Sequence, residues 1–85
     1  MAKLVIKSTS RTSSLKQGTV IRIFDRVGVI YDNNSMSGII RIRMKNGDVF
    51  PFTPKYFSEP VECEILEKHD PVVFRNNSYY FKENV

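Results

Sequence analysis

The chain has 85 residues, 41% of them hydrophobic and 26% charged, with a formal charge of +4. That is the size and composition of one globular domain, which excludes a second core and wholesale disorder. One cysteine excludes an internal disulfide, and no stretch approaches the roughly 20 apolar residues that span a bilayer.

With no staple in so small a domain, a reducing cytoplasm is the expected home. The opening apolar run, Leu4 to Ile6, is too short for a signal peptide and reads as a strand or a stub. Residues 7–17 are Ser/Thr-rich and basic with one large apolar residue, so residues 1–17 read as a flexible basic arm and 18–85 as the folded domain. Val20 to Phe24 and Val27 to Tyr31 are β-rich runs, with Asp25-Arg26 at tight-turn length between them. Asp32 to Gly38 has loop composition. Ile39 to Lys45 is a strand, Asn46-Gly47 a hairpin turn, and Val49 to Phe52 the returning strand. Pro51 and Pro54 limit that strand because each lacks a ladder donor.

Residues 55–60 allow one helical turn. Val61-Glu62-Cys63-Glu64-Ile65 alternates, with Val61, Cys63 and Ile65 inward and the glutamates in water. His69-Asp70-Pro71 is a turn. Val72 to Phe74 and Tyr79 to Phe81 form a last hairpin around Asn76-Asn77. The triplets Asn33-Asn34-Ser35 and Asn76-Asn77-Ser78 read as turns rather than glycosylation sites. Short, evenly spaced strands with no long helical period predict an all-β fold, a small closed antiparallel barrel.

Gly18-Thr19-Val20 opening a strand, Val27-Gly28-Val29-Ile30, Asp48-Val49-Phe50-Pro51-Phe52, Val61-Glu62-Cys63-Glu64-Ile65 and the terminal Glu83-Asn84-Val85 follow one another as do the motifs of cold-shock domains. The chain resembles that family from Gly18 to Val85. The resemblance implies an OB-type barrel whose second and third strands carry stacking aromatics. It departs from the family where Arg22 replaces a tryptophan, Val27 and Val29 replace phenylalanines, and Phe52 replaces a histidine. Ile39 to Lys45 is an added hairpin strand.

Charge is uneven: residues 1–45 hold nine Lys/Arg and two Asp/Glu, residues 46–85 four and seven. A basic half suits phosphates, whose counterions Lys and Arg release, and equally suits an ordinary solvated surface. In the Ile39–Lys45 strand, Ile40, Ile42 and Met44 alternate with Arg41, Arg43 and Lys45, and the cations must face water. A two-residue Asn46-Gly47 turn pairs Arg43 with Phe50 and Arg41 with Phe52, placing both rings outside beside the arginines. A three-residue Lys45-Asn46-Gly47 loop with Gly47 in a bulge shifts the register by one and turns both rings into the core. The family pattern favours the first.

The expected function is non-catalytic binding of single-stranded RNA or DNA through Arg22, Arg26, Arg41, Arg43, Phe50 and Phe52. Lys7, Arg11 and Lys16 add backbone contacts. The alternative is a small protein-interaction or inhibitory module that uses a barrel face. No catalytic residue, metal, cofactor, membrane or small-molecule substrate is expected. His69 with Asp70 sits in a turn, Cys63 alternates with apolar neighbours, and one Cys with one His makes no zinc site. No phosphate-cradling glycine loop is present. Tyr79, Tyr80 and Phe81 read as core plus one exposed ring.

Overall fold

The computed structural model describes residues 2–6, 15–34, 38–53, 56 and 59–85. The fold is all-β. Its strands are β1 (Ala2–Ile6), β2 (Val20–Ile23), β3 (Arg26–Asn34), β4 (Ile39–Met44), β5 (Val49–Phe52), β6 (Val61–Ile65), β7 (Val72–Arg75) and β8 (Ser78–Phe81). A 3-10 turn at Lys82–Asn84 follows. Six strands form one antiparallel sheet in the order β1-β6-β2-β3-β4-β5, and β7-β8 is a separate hairpin.

β2 to β5 is a meander, and β6 returns to lie beside β2. Ile39–Met44 lies between β3 and β5, so β5 pairs only with β4. The ladder runs from β1 to β5 without closing on itself among the described residues, where a closed barrel was expected. One face nevertheless buries a continuous core of Ile21, Ile23, Ile30, Ile40, Ile42, Met44, Phe52, Val61 and Cys63, with Leu15 among them. Its driving force is the apolar alternation of β2, β4 and β6. The opposite face is covered in part by the β7-β8 hairpin, which packs Phe81, Val72 and Tyr79 on Val20, Val29 and Val27. The Gly28–Ile30 stretch of β3 is therefore buried on both sides, which accounts for its continuous apolar run.

Several local expectations change. The β2-β3 turn is Phe24-Asp25, not Asp25-Arg26: Ile23 pairs with Arg26, and both turn residues have positive φ, 51° and 61°. Asn76-Asn77, at 53° and 60°, makes the second such turn, as its composition predicts. β3 continues through Asn34, into the expected loop, with an irregularity at Tyr31 between the Ile30/Ile42 and Asp32/Arg41 pairs.

Within the expected arm, residues 2–6 and 15–17 are described. β1 pairs with β6 over five residues, and Leu15 is only 1% exposed. The Leu15 carbonyl accepts from Asn33 Nδ2 at 2.7 Å, and Gly18 N–H donates to the Ile30 carbonyl at 2.7 Å. Residues 7–14, with Lys7 and Arg11, lie outside the described residues, as do Lys55, Phe57 and Ser58 of the helical turn expected over 55–60.

The β4-β5 register settles on the bulged loop. Ile42 pairs with Phe50 and Ile40 with Phe52, while Arg43 faces Val49 and Arg41 faces Pro51. Met44 N–H donates to the Asp48 carbonyl at 2.7 Å, Gly47 N–H donates to the Met44 carbonyl at 2.9 Å, and Gly47 has φ +95°. This is a type I turn followed by a left-handed residue, in which glycine alone is unstrained. Asp48 N–H also donates to Asn46 Oδ1 at 3.0 Å, fixing the loop tip. The two-residue turn is overturned, and with it the outward phenylalanines.

Gly28 is required by a close approach rather than by φ. A Cβ there would lie 2.5 Å from Ile42 Cγ2 and 3.2 Å from the Arg43 carbonyl oxygen. Phe52→Ala should cost about 3–5 kcal/mol of unfolding free energy in a denaturant melt, and Gly28→Ala about 1–3 kcal/mol through overpacking. A Phe52→Ala loss under about 1 kcal/mol would contradict the inward register.

Candidate functional site

The six residues expected to bind nucleic acid do not form one patch. Phe52 is 1% exposed and sits in the core, where hydrophobic burial places it once the register is shifted by one. Phe50 is half-buried against the same core. The two rings stack at 6.4 Å with an interplanar angle of 24°, so each occupies a face the other would offer to a base.

The four arginines all have partners. Arg22 Nη1 donates to Glu64 Oε1 at 3.2 Å. Arg41 Nη1 donates to Asp32 Oδ2 at 2.7 Å, and Arg26 lies 3.7 Å from Asp48. Arg43 has no carboxylate. Its Nη1 donates to Ser78 Oγ at 2.9 Å and to the Tyr79 carbonyl at 2.8 Å. Its guanidinium lies 4.3 Å from the Tyr31 ring centroid and 3.9 Å from that of Tyr80.

The β3 irregularity explains this arrangement. It inserts Tyr31 beside Asp32, supplying a ring for Arg43 and a carboxylate for Arg41 from consecutive residues. Arg43 thereby ties β4 to β8 and holds the terminal hairpin on the sheet. Lys45, which continues the basic alternation, pairs with Asp70, whose hydrogen bond and charge raise the ammonium above its ordinary pKa. Its carbonyl accepts from Asn84 Nδ2 at 2.9 Å.

Charge tells the same story. The described side chains from 15 onward include all nine carboxylates of the chain and nine of its thirteen cations. The whole excess of four belongs to Lys3, Lys7, Arg11 and Lys55. Among the described residues, Lys3 on β1 adds one cation to this balanced set.

One exposed aromatic, beside Tyr56 and Phe74, is a residue that the sequence reading assigned to the end of a strand. Phe24 is 49% exposed at the tip of the β2-β3 hairpin. Its ring meets Phe50 edge-on at 5.8 Å and an angle of 88°, and Phe52 at 6.3 Å and 78°. A bulky side chain at φ +51° is strained by roughly 1–3 kcal/mol, and the turn type favours Asn or Gly there. Nothing in composition or periodicity marks such a residue, because the strain exists only once the turn is placed.

The remaining chemical candidates stay apart. His69 Nδ1 contacts the Asp70 carbonyl at 2.8 Å in an exposed turn. Cys63 is buried in the main core, where desolvation pushes its thiol pKa up and lowers its reactivity. Among the described residues no group of three His, Cys, Asp or Glu is arranged to hold a metal ion, and no helix is long and apolar enough to cross a membrane. Comparison with protein-family models, with curated proteins and with solved structures finds no match to this chain.

Arg43→Ala should destabilise the fold by about 1.5–3 kcal/mol, the scale of hydrogen bonds to a charged group. Arg43→Lys should restore little, because a point charge cannot stack and fork as guanidinium does. Arg26→Ala should cost less than about 1 kcal/mol as an exposed pair. Equal losses in urea melts of Arg26→Ala and Arg43→Ala would contradict the clamp.

Proposed function

We propose that this chain is a non-catalytic binding module that engages a protein partner through Phe24, with Phe50 bracing it from below. The observation that carries this reading is the strained, half-exposed ring at the hairpin tip. A strained backbone around an exposed aromatic persists when the surrounding structure over-determines it, and such residues cluster at binding sites. A rigid aromatic anchor loses little conformational entropy on docking and brings a large apolar area, the usual character of an interface hot spot. The partner's complementary feature is an apolar pocket able to take one phenylalanine ring. The Arg26–Asp48 pair and Asp25 supply a polar rim.

Single-stranded nucleic-acid binding of the cold-shock type is the second reading, and one observation favours it. The N-terminal stretch holds Lys3, Lys7 and Arg11, and Phe24 offers a ring on which a base could stack. In this reading the curled sheet is an OB-like platform and Arg22, Arg26 and Arg41 leave weak surface ion pairs to meet phosphates. Both readings suit a reducing compartment.

Phe24→Asn separates fold from function. Asn suits the left-handed turn, so relief of strain offsets lost ring contacts and the unfolding free energy should stay within about 1 kcal/mol of the parent. A photo-reactive phenylalanine analogue at position 24 should cross-link to one protein. Rebuilt from purified components, that complex should weaken by at least about 2 kcal/mol with Phe24→Asn and change little with salt. A fluorescent oligo-dT or oligo-U titration whose affinity falls log-linearly with salt, and which fails with Phe24→Asn, would instead establish the second reading. No adduct at position 24 and no oligonucleotide binding would overturn both.

A further inference from the structure

The two edges of the six-stranded sheet differ, and the difference can be read from the hydrogen-bond alternation. Antiparallel residues alternate between turning both main-chain groups toward one neighbour and toward the other. Met44 N–H bonds the Asp48 carbonyl, so the bonded pairs continue as Ile42/Phe50 and Ile40/Phe52. Val49 and Pro51 therefore turn their main-chain groups to the outer side of β5. Pro51 has no N–H, and that edge offers a single donor within the strand.

At the other end Leu66 N–H donates to the Val20 carbonyl at 2.9 Å, and the β2-β6 register runs on through Ile21/Ile65, Arg22/Glu64 and Ile23/Cys63. Glu64 thus bonds toward β2, while Val61, Cys63 and Ile65 turn toward β1. Their partners there are Ile6, Leu4 and Ala2. Lys3 and Val5 consequently present an N–H and a carbonyl each to the outer side of β1. That strand has a regular five-residue register and no proline, and among the described residues no strand pairs with its outer edge.

We propose that this edge pairs with the same edge of a second copy, antiparallel and about a two-fold axis at Leu4. Lys3 of each copy then lies opposite Val5 of the other, and all four outward main-chain groups of each strand are bonded. Within Ala2–Ile6, centring the axis on Lys3 or Val5 joins only one residue to its own counterpart and leaves half of these groups unbonded. The edge is therefore self-complementary in one register, as an isologous contact requires. The sheets of two copies would run on through the junction, leaving the proline-blocked β5 edges outermost.

The test uses the full chain in sedimentation velocity across a concentration series, with Val5→Pro and Val5→Thr beside the parent. Proline at position 5 removes an outward donor and leaves the bonds from Leu4 and Ile6 to β6 in place. Parent and Val5→Thr should shift from monomer to dimer as concentration rises, and Val5→Pro should stay monomeric with an unchanged circular-dichroism spectrum. Should Val5→Pro unfold, amide exchange on the parent decides. The Lys3 and Val5 amides should slow as concentration rises, while the Leu4 amide, already bonded to β6, should not change. A parent that is monomeric throughout, a Val5→Pro chain that still dimerises, or Lys3 and Val5 exchange independent of concentration would overturn the proposal. Slow exchange that is independent of concentration would place a segment of the same chain on that edge.

Discussion

Gly47 at φ +95° is the constraint on which the arrangement of the sheet depends. It allows Met44 and Asp48 to close a three-residue loop, and that closure fixes every pair between β4 and β5. Because side chains alternate with a period of two, one residue of slip would move Phe50 and Phe52 to the far face together. Phe52 fills the centre of the main core, whose other members come from four strands and from Leu15. A large ring exchanged for solvent there would remove several kcal/mol from a domain whose whole stability is of order 5–15 kcal/mol. Burial therefore decides the register, and glycine makes the winning turn available.

The same choice distributes the polar side chains. With Ile40, Ile42 and Met44 inward, Arg41 and Arg43 occupy the other face, where the extra residue at Tyr31 brings Asp32 and an aromatic ring within reach. Arg43 is then a fastening between sheet and terminal hairpin. What is left exposed and strained is Phe24, supported by the ring that the register turned inward.

Strand identity was legible because β-branched alternation and turn residues are local signals. The alternation of Ile39–Met44 and Val61–Ile65, and the Asn76-Asn77 turn, reflect the preferences of the residues that form them. The register was not legible in the same way. Lys45-Asn46-Gly47-Asp48 is compatible with two turn geometries, and the choice rests on packing between strands. Cold-shock-like spacing pointed to exposed rings, but β4 lies between β3 and β5 and its register with β5 turns Phe52 inward. Leu15 looked like a lone apolar residue in a polar run because its core neighbours lie far away in sequence. Phe24 read as the last residue of an aromatic strand. Only the pairing of Ile23 with Arg26 puts it at the turn.

Cross-strand proton contacts measure that register without perturbing it. In non-hydrogen-bonded antiparallel pairs the Cα atoms approach to about 4.5 Å and the Hα protons face each other. Nuclear Overhauser spectra of the native chain should therefore show Hα–Hα contacts between Arg43 and Val49 and between Arg41 and Pro51. Contacts from Met44 to Val49 and from Ile42 to Pro51 in their place would establish the two-residue turn. Phe50 and Phe52 would then stand on the outer face, and the assignment of Phe24 as the binding ring would fall with the register.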